Sequence, residues 1–131
     1  MNEHVVSILE HLEYHQFTPN HELSTEEFVV LENPLTERRV SLSTNDFIAR
    51  FTMLFTLDVN NSGLTADIAN QLNDELVIGK TILQQDGDEQ VAIMNALYLM
   101  PYSKESFNTF WALFDEDGDN FETVVAENLS E

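Results

Sequence analysis

The run VAIMNALYLM, residues 91–100, constrains this chain more than any other segment. Read as a strand, it sends Val91, Ile93, Leu97 and Leu99 to one side and Ala92, Met94, Ala96, Tyr98 and Met100 to the other. An antiparallel strand with one solvated face alternates apolar with polar residues, and this one is apolar on both. Each face therefore needs a cover. Helices of the same chain are expected on one side, and a partner polypeptide or a second copy of the chain on the other. That pattern belongs to a binding protein.

The flanking sequence supplies the helices. After the turn Asp86-Gly87-Asp88 and the strand, Pro101 and the N-cap candidate Ser103 open a segment in which Phe107, Phe110, Trp111, Phe114, Phe121 and Val125 recur at helical spacing. This predicts a helix over 104–127, with Gly118 on its apolar stripe at a cost of roughly 1 kcal/mol relative to Ala. Upstream, the spacing predicts a helix over 2–17, with Val5, Ile8, Leu9 and Leu12 on one face and Thr18, Pro19 and Asn20 ending it. Strands are expected over 27–32, 38–44 and 47–58. In the last of these Phe51, Met53, Phe55 and Leu57 share one side. A helix over 65–76, capped by Thr65 or Ser62, and a strand over 77–85 complete the series. The order α-β-β-β-α-β-β-α defines an α+β fold over a single domain, 1–131, with helices packed on an antiparallel sheet.

Charge narrows the choice of partner. Against 24 acids stand only Arg38, Arg39, Arg50, Lys80 and Lys104, for a net charge of −19. Such a chain repels nucleic acid phosphates and anionic membranes, so neither is expected as a partner. It also favours basic polypeptides, which leaves a second reading: a sequestering protein or nucleic-acid mimic acting through charge alone. No Cys is present, the first residues carry acid and no basic group, and no apolar run approaches the ~20 residues of a membrane span. A cytoplasmic location is expected.

Motifs for chemistry are absent. Counting a calcium loop from Asp115 puts Asn120 where Gly is required and Ala126 where the bidentate Glu is required, so 115–122 reads as a solvated acidic helix face. His4, His11 and His15 lie within about 40° of one another on a helix. However, His11-Leu12-Glu13-Tyr14-His15 is not HExxH, and no Cys can complete a zinc site, so no metal is expected. No nucleophile elbow, P-loop or GxGxxG occurs, and neither enzymatic activity nor a cofactor is expected.

The stretch from Asp67 to Phe114 runs helix, strand, acidic turn, long apolar strand, then a helix opened by Ser103-Lys104-Glu105 and rich in aromatics. In this pattern, and in element order over the rest, the chain resembles the YbjN-type family, bacterial proteins provisionally classed as sensory-transduction regulators. That family is similar in structure to class I type III secretion chaperones. The resemblance implies a chaperone-like α+β fold, a homodimer, and a small acidic protein that holds a segment of another polypeptide. Taken with the strand pattern, the partner or dimer contacts expected are Ile93, Leu97 and Leu99, the outward residues Phe51, Met53 and Phe55, and part of the aromatic stripe at Trp111. The partner segment is expected at a sheet edge or across a groove.

Overall fold

The computed structural model describes residues 3–25, 28–58, 66–86 and 89–129. In chain order the elements are α1 (Glu3–Tyr14), β1 (Thr18–Pro19), β2 (Phe28–Asn33), β3 (Arg38–Thr44), β4 (Ile48–Asp58), α2 (Ala66–Glu75), β5 (Lys80–Asp86), β6 (Glu89–Leu99) and α3 (Lys104–Leu129). The strands form one six-stranded antiparallel sheet in the order β1-β2-β3-β4-β6-β5. The fold is α+β as expected, with one strand more than the sequence indicated. Residues 1–52 with 97–111 form one compact unit, and residues 53–96 with 112–131 form a second.

In the first unit, α1 buries Val5, Ile8 and Leu12, the stripe its spacing predicts. It stops at Tyr14, three residues before the expected end. The Gln16 N–H donates to the Glu13 carbonyl and the Phe17 N–H to the Leu12 carbonyl, each at 3.0 Å, with Gln16 at φ 71°. These two bonds and a left-handed residue make a Schellman cap. Gly usually fills that position, and Gln leaves no signal to read. Thr18 and Pro19, expected only to break the helix, instead pair with Glu32 and Leu31 as β1. A proline is tolerated there because β1 is an edge strand.

The turns follow their residues. The Asn33 side-chain oxygen accepts the N–H groups of Leu35 and Thr36, and its amide donates to the His15 carbonyl beyond α1. Asn45 accepts the N–H groups of Phe47 and Ile48 in the same manner and so closes the turn at Asn45-Asp46. Leu31, Val40, Leu42, Ala49 and Phe51 are almost wholly buried. The Phe51 ring lies 5.4–5.8 Å from the rings of Phe107, Phe110 and Trp111. Ser103 caps α3 by accepting the Ser106 N–H at 3.2 Å.

The second unit turns on one carboxylate. Val77 donates its N–H to Asp117 Oδ1 at 2.9 Å, and Ile78 and Gly79 donate theirs to Oδ2 at 2.8 Å each. The expected strand over 77–85 therefore begins at Lys80, because the three preceding N–H groups are committed to Asp117 rather than to a ladder. The acidic stretch is correspondingly not one solvated face. Asp115, Glu116 and Asp119 are exposed, whereas Asp117 is fully buried. Gly79 permits the approach: a Cβ there would fall 2.9 Å from Met94 Sδ and 3.0 Å from Met94 Cγ. The helix α3 runs unbroken through the buried Gly118, and Phe114, Phe121 and Val125 fill the core beside Met53, Leu72 and Met94. The caps expected at Thr65 or Ser62 and the turn residues Gly87 and Asp88 lie outside the described residues.

Replacing Asp117 strands three N–H groups, one of them on a buried residue, each bonded to a charged acceptor. Asp117→Ala is expected to lower unfolding free energy by about 3–5 kcal/mol. The exposed neighbour substitution Glu116→Ala should change it by less than about 0.5 kcal/mol. Urea titrations of both variants check the contrast, and equal midpoints would remove Asp117 from its structural role.

Candidate functional site

The long strand β6 has one covered and one open face. Ala92, Met94, Ala96 and Tyr98 are at most 4% exposed. On the other face Ile93 is half-buried, Leu97 is 48% exposed and Leu99 is 73% exposed. Within the second unit, Ile93 sits opposite Ile82 of β5, itself 47% exposed. Directly paired residues of antiparallel strands share a face, so these two side chains form an apolar cross-strand pair on the open side.

Placement separates the expected contact residues into two groups. Ile93, Leu97 and Leu99 lie on the open face of β6. Phe51 and Met53, expected to point outward, are 0% and 1% exposed, and Trp111 is 3% exposed. Their orientation is corrected. The β4 alternation was legible, but its inward side is the aromatic one, and the outward side carries Leu54 at 54% exposure. Phe55 is half-buried, with its ring 5.5 Å from that of Phe121.

The sheet edges are guarded. One is β1, two residues long and containing Pro19. At the other, β5, the Asn73 side chain clamps Thr81: its oxygen accepts the Thr81 N–H at 2.6 Å, and its amide donates to the Thr81 carbonyl at 3.1 Å. An incoming strand finds those backbone groups already engaged. Asn73 carried no signal in the sequence, since its role depends on the turn held by Asp117.

The first unit also holds a cleft of about 430 Å³ between α1 and the start of α3. The His11 and His15 rings stack at 5.4 Å with planes 13° apart. His11 Nδ1 lies 2.8 Å from the Tyr102 hydroxyl, and the Phe107 ring abuts His11 edge-on at 4.9 Å. Burial holds the His11 pKa below its ordinary value, and the neighbouring His15 and Lys104 charges push the same way, while a hydrogen bond with Asn108 opposes them. Burial raises the Tyr102 pKa, helped by Tyr98 and Glu10. Among the described residues no group of three or more His, Cys, Asp or Glu is placed to hold a metal. In the second unit a smaller cleft, about 310 Å³, lies between α2 and α3 with Glu75 and Glu127 among its lining residues.

No family model matches the chain, and no curated protein matches it in sequence. Among solved structures it is similar to the crystal structure of YbjN from E. coli, a protein provisionally described there as a transcription regulator. The TM-score is 0.62 and identity is 12%, with 94% of this chain and 89% of that one covered. The chain thus has a YbjN-like fold. No described helix is long and apolar enough to cross a membrane.

The lowered His11 pKa has a definite sign in stability. The unfolded chain takes up this proton more readily than the folded one, so the stabilisation is complete above the ordinary value of 6.5 and is lost as pH falls through and below it. Relative to His11→Gln, the unmodified chain should lose stability as pH is lowered from about 7.5 through 6.5 and below. Thermal melts of the two proteins across that range test this, and parallel curves would contradict it.

Proposed function

We propose that this chain is a non-enzymatic binding module that takes a polypeptide on the open face of β6, chaperone-like or regulatory in role, and that it works as a homodimer. The observation that carries the reading is the exposure of Leu97 and Leu99 on a strand whose opposite face is closed. Large aliphatic residues on the solvent side of a strand carry an unfavourable hydration free energy until something covers them. Burying such a side chain fully contributes about 1.5–3 kcal/mol. Exposed apolar surface of this kind marks interaction sites.

Face-on binding is favoured over edge addition by the guarded ends of the sheet, the two-residue β1 and the clamped Thr81. The net charge of −19 adds steering, since an acidic surface accelerates encounter with a basic client. A YbjN-like fold is consistent with a regulator or adaptor, and it names no client. The reading by charge alone, sequestration of a basic protein or mimicry of nucleic acid, rests on the same net charge and needs no apolar face.

The two readings separate in salt. Screening shortens to ~3 Å at about 1 M salt, which dissolves charge-driven complexes and spares apolar ones. The tagged protein, recovered from its own host, is expected to retain one dominant polypeptide in high salt and to sediment as a dimer. Leu97→Asp should abolish one or both while leaving the secondary structure seen by circular dichroism nearly unchanged, because the position is exposed. Unchanged mass and unchanged client in Leu97→Asp would refute the face assignment, and a client lost on raising salt would favour sequestration.

A further inference from the structure

The cleft beside α1 is anomalous in electrostatic terms. Lys and Arg number five in the whole chain and His four, against 24 acids, yet His11, His15 and Lys104 all line this one cavity of about 430 Å³. Its lining is partly aromatic: Tyr102 meets the His11 ring at 79°, and the buried Phe107 backs His11 edge-on from outside the cavity. The two imidazoles lie in near-parallel, stacked planes, and the Tyr102 hydroxyl at His11 Nδ1 fixes the His11 ring. The acid in the lining is Glu10, and among the described residues no ion pair joins it to Lys104.

We propose that this cleft is a binding site for a small aromatic monocarboxylate, with the ring against the His11 and Tyr102 rings and the carboxylate at Lys104, Asn108 and His15. Three features select this class. An aromatic ring matches the His11, His15 and Tyr102 rings of the lining, since aromatic rings prefer offset stacking or edge contact. A single negative charge matches Lys104, whereas a multiply charged anion meets Glu10 and the field of the acidic chain. The volume is in the range of small-molecule sites and too small for a folded partner.

Affinity should depend on pH. The titratable groups facing the cavity are Glu10, His11 and Tyr14 from α1, His15 just past its end, Tyr102 just before α3 and Lys104 at its start. With the imidazoles neutral, Glu10 and Lys104 cancel, and with an imidazole charged the cleft is cationic. Binding an anion there relieves the repulsion that His15 and Lys104 exert on His11, so ligand and proton bind cooperatively. The site lies within the first unit and does not rest on the open face of β6.

The probe is benzoate, titrated into the full chain at constant ionic strength and followed by NMR of backbone amides and imidazole protons. Saturable shifts are expected at Lys104, Asn108 and the His11 and His15 rings, with affinity at least about fivefold tighter near pH 6 than near pH 8. Lys104→Gln and His15→Gln, both at exposed positions, should each weaken binding at least about fivefold, the equivalent of one charge-assisted contact. Bound benzoate should raise the apparent His11 pKa. The proposal is overturned by any of three results: no saturable shift, affinity indifferent to pH and to Lys104→Gln, or inorganic phosphate or cyclohexanecarboxylate binding as tightly as benzoate.

Discussion

Three backbone N–H groups converging on the Asp117 carboxylate organise the second unit of this protein. A helix interior has no backbone donors or acceptors to spare, so a side chain must make any tie between α3 and the segment leading into β5. Asp117 makes it with both oxygens at 2.8–2.9 Å. A carboxylate removed from water is expensive unless its lone pairs are filled, and three charge-assisted bonds fill them. The consequences propagate along the chain. Residues 77–79 leave the ladder and β5 starts at Lys80. Thr81 then falls where Asn73 of α2 can hold its backbone. Gly79 belongs to the same arrangement, because a side chain there would collide with Met94.

The edge and the face of the sheet are consequently treated differently. Edge strands template aggregation unless blocked, and here one edge is short and proline-bearing while the other is clamped near its start. The open face of β6 is not blocked. Its exposed leucines are not the alternating polar residues that a solvated antiparallel face ordinarily carries. Under the proposed reading, short or clamped edges and uncovered aliphatic side chains suit side-chain recognition better than strand addition. The acidity of the remaining surface suits that arrangement, since like charge keeps copies from associating nonspecifically while the apolar face remains available.

Aromatic packing dominates the first unit. Phe51 touches Phe107, Phe110 and Trp111, Tyr98 meets Phe107 and Phe110, and the histidines of α1 extend the cluster toward solvent. Rings at these separations pack edge-on or tilted and add attraction beyond burial. Tyr98 also accepts the Ser103 N–H and lies 2.7 Å from the Ser106 hydroxyl, so the end of β6 and the start of α3 are fixed together. The cleft lies beside α1 and the turn that ends it at the left-handed Gln16, where His11 and His15 line it together with Tyr102 and Lys104.

The sequence by itself determined the type of every element except β1, the α+β class, the cap at Ser103, the apolar stripe of α3 and the doubly apolar character of β6. Each of these is a local pattern, a periodicity of 3.6 or 2 or a residue with a single low-energy use, and local patterns survive without knowledge of neighbours. Only the tertiary structure decided which side of β4 faced inward, that one of several acids in 115–122 is buried, that α1 ends on a Gln, and that His11 and His15 meet Lys104. Alternation fixes that β4 has two faces but not which of them a helix will cover, because Phe51 and Leu54 are both apolar. Composition makes Asp117 indistinguishable from Asp115 and Asp119. What distinguishes it is three N–H groups 38 to 40 residues away in sequence, a relation that forms only when the chain has folded.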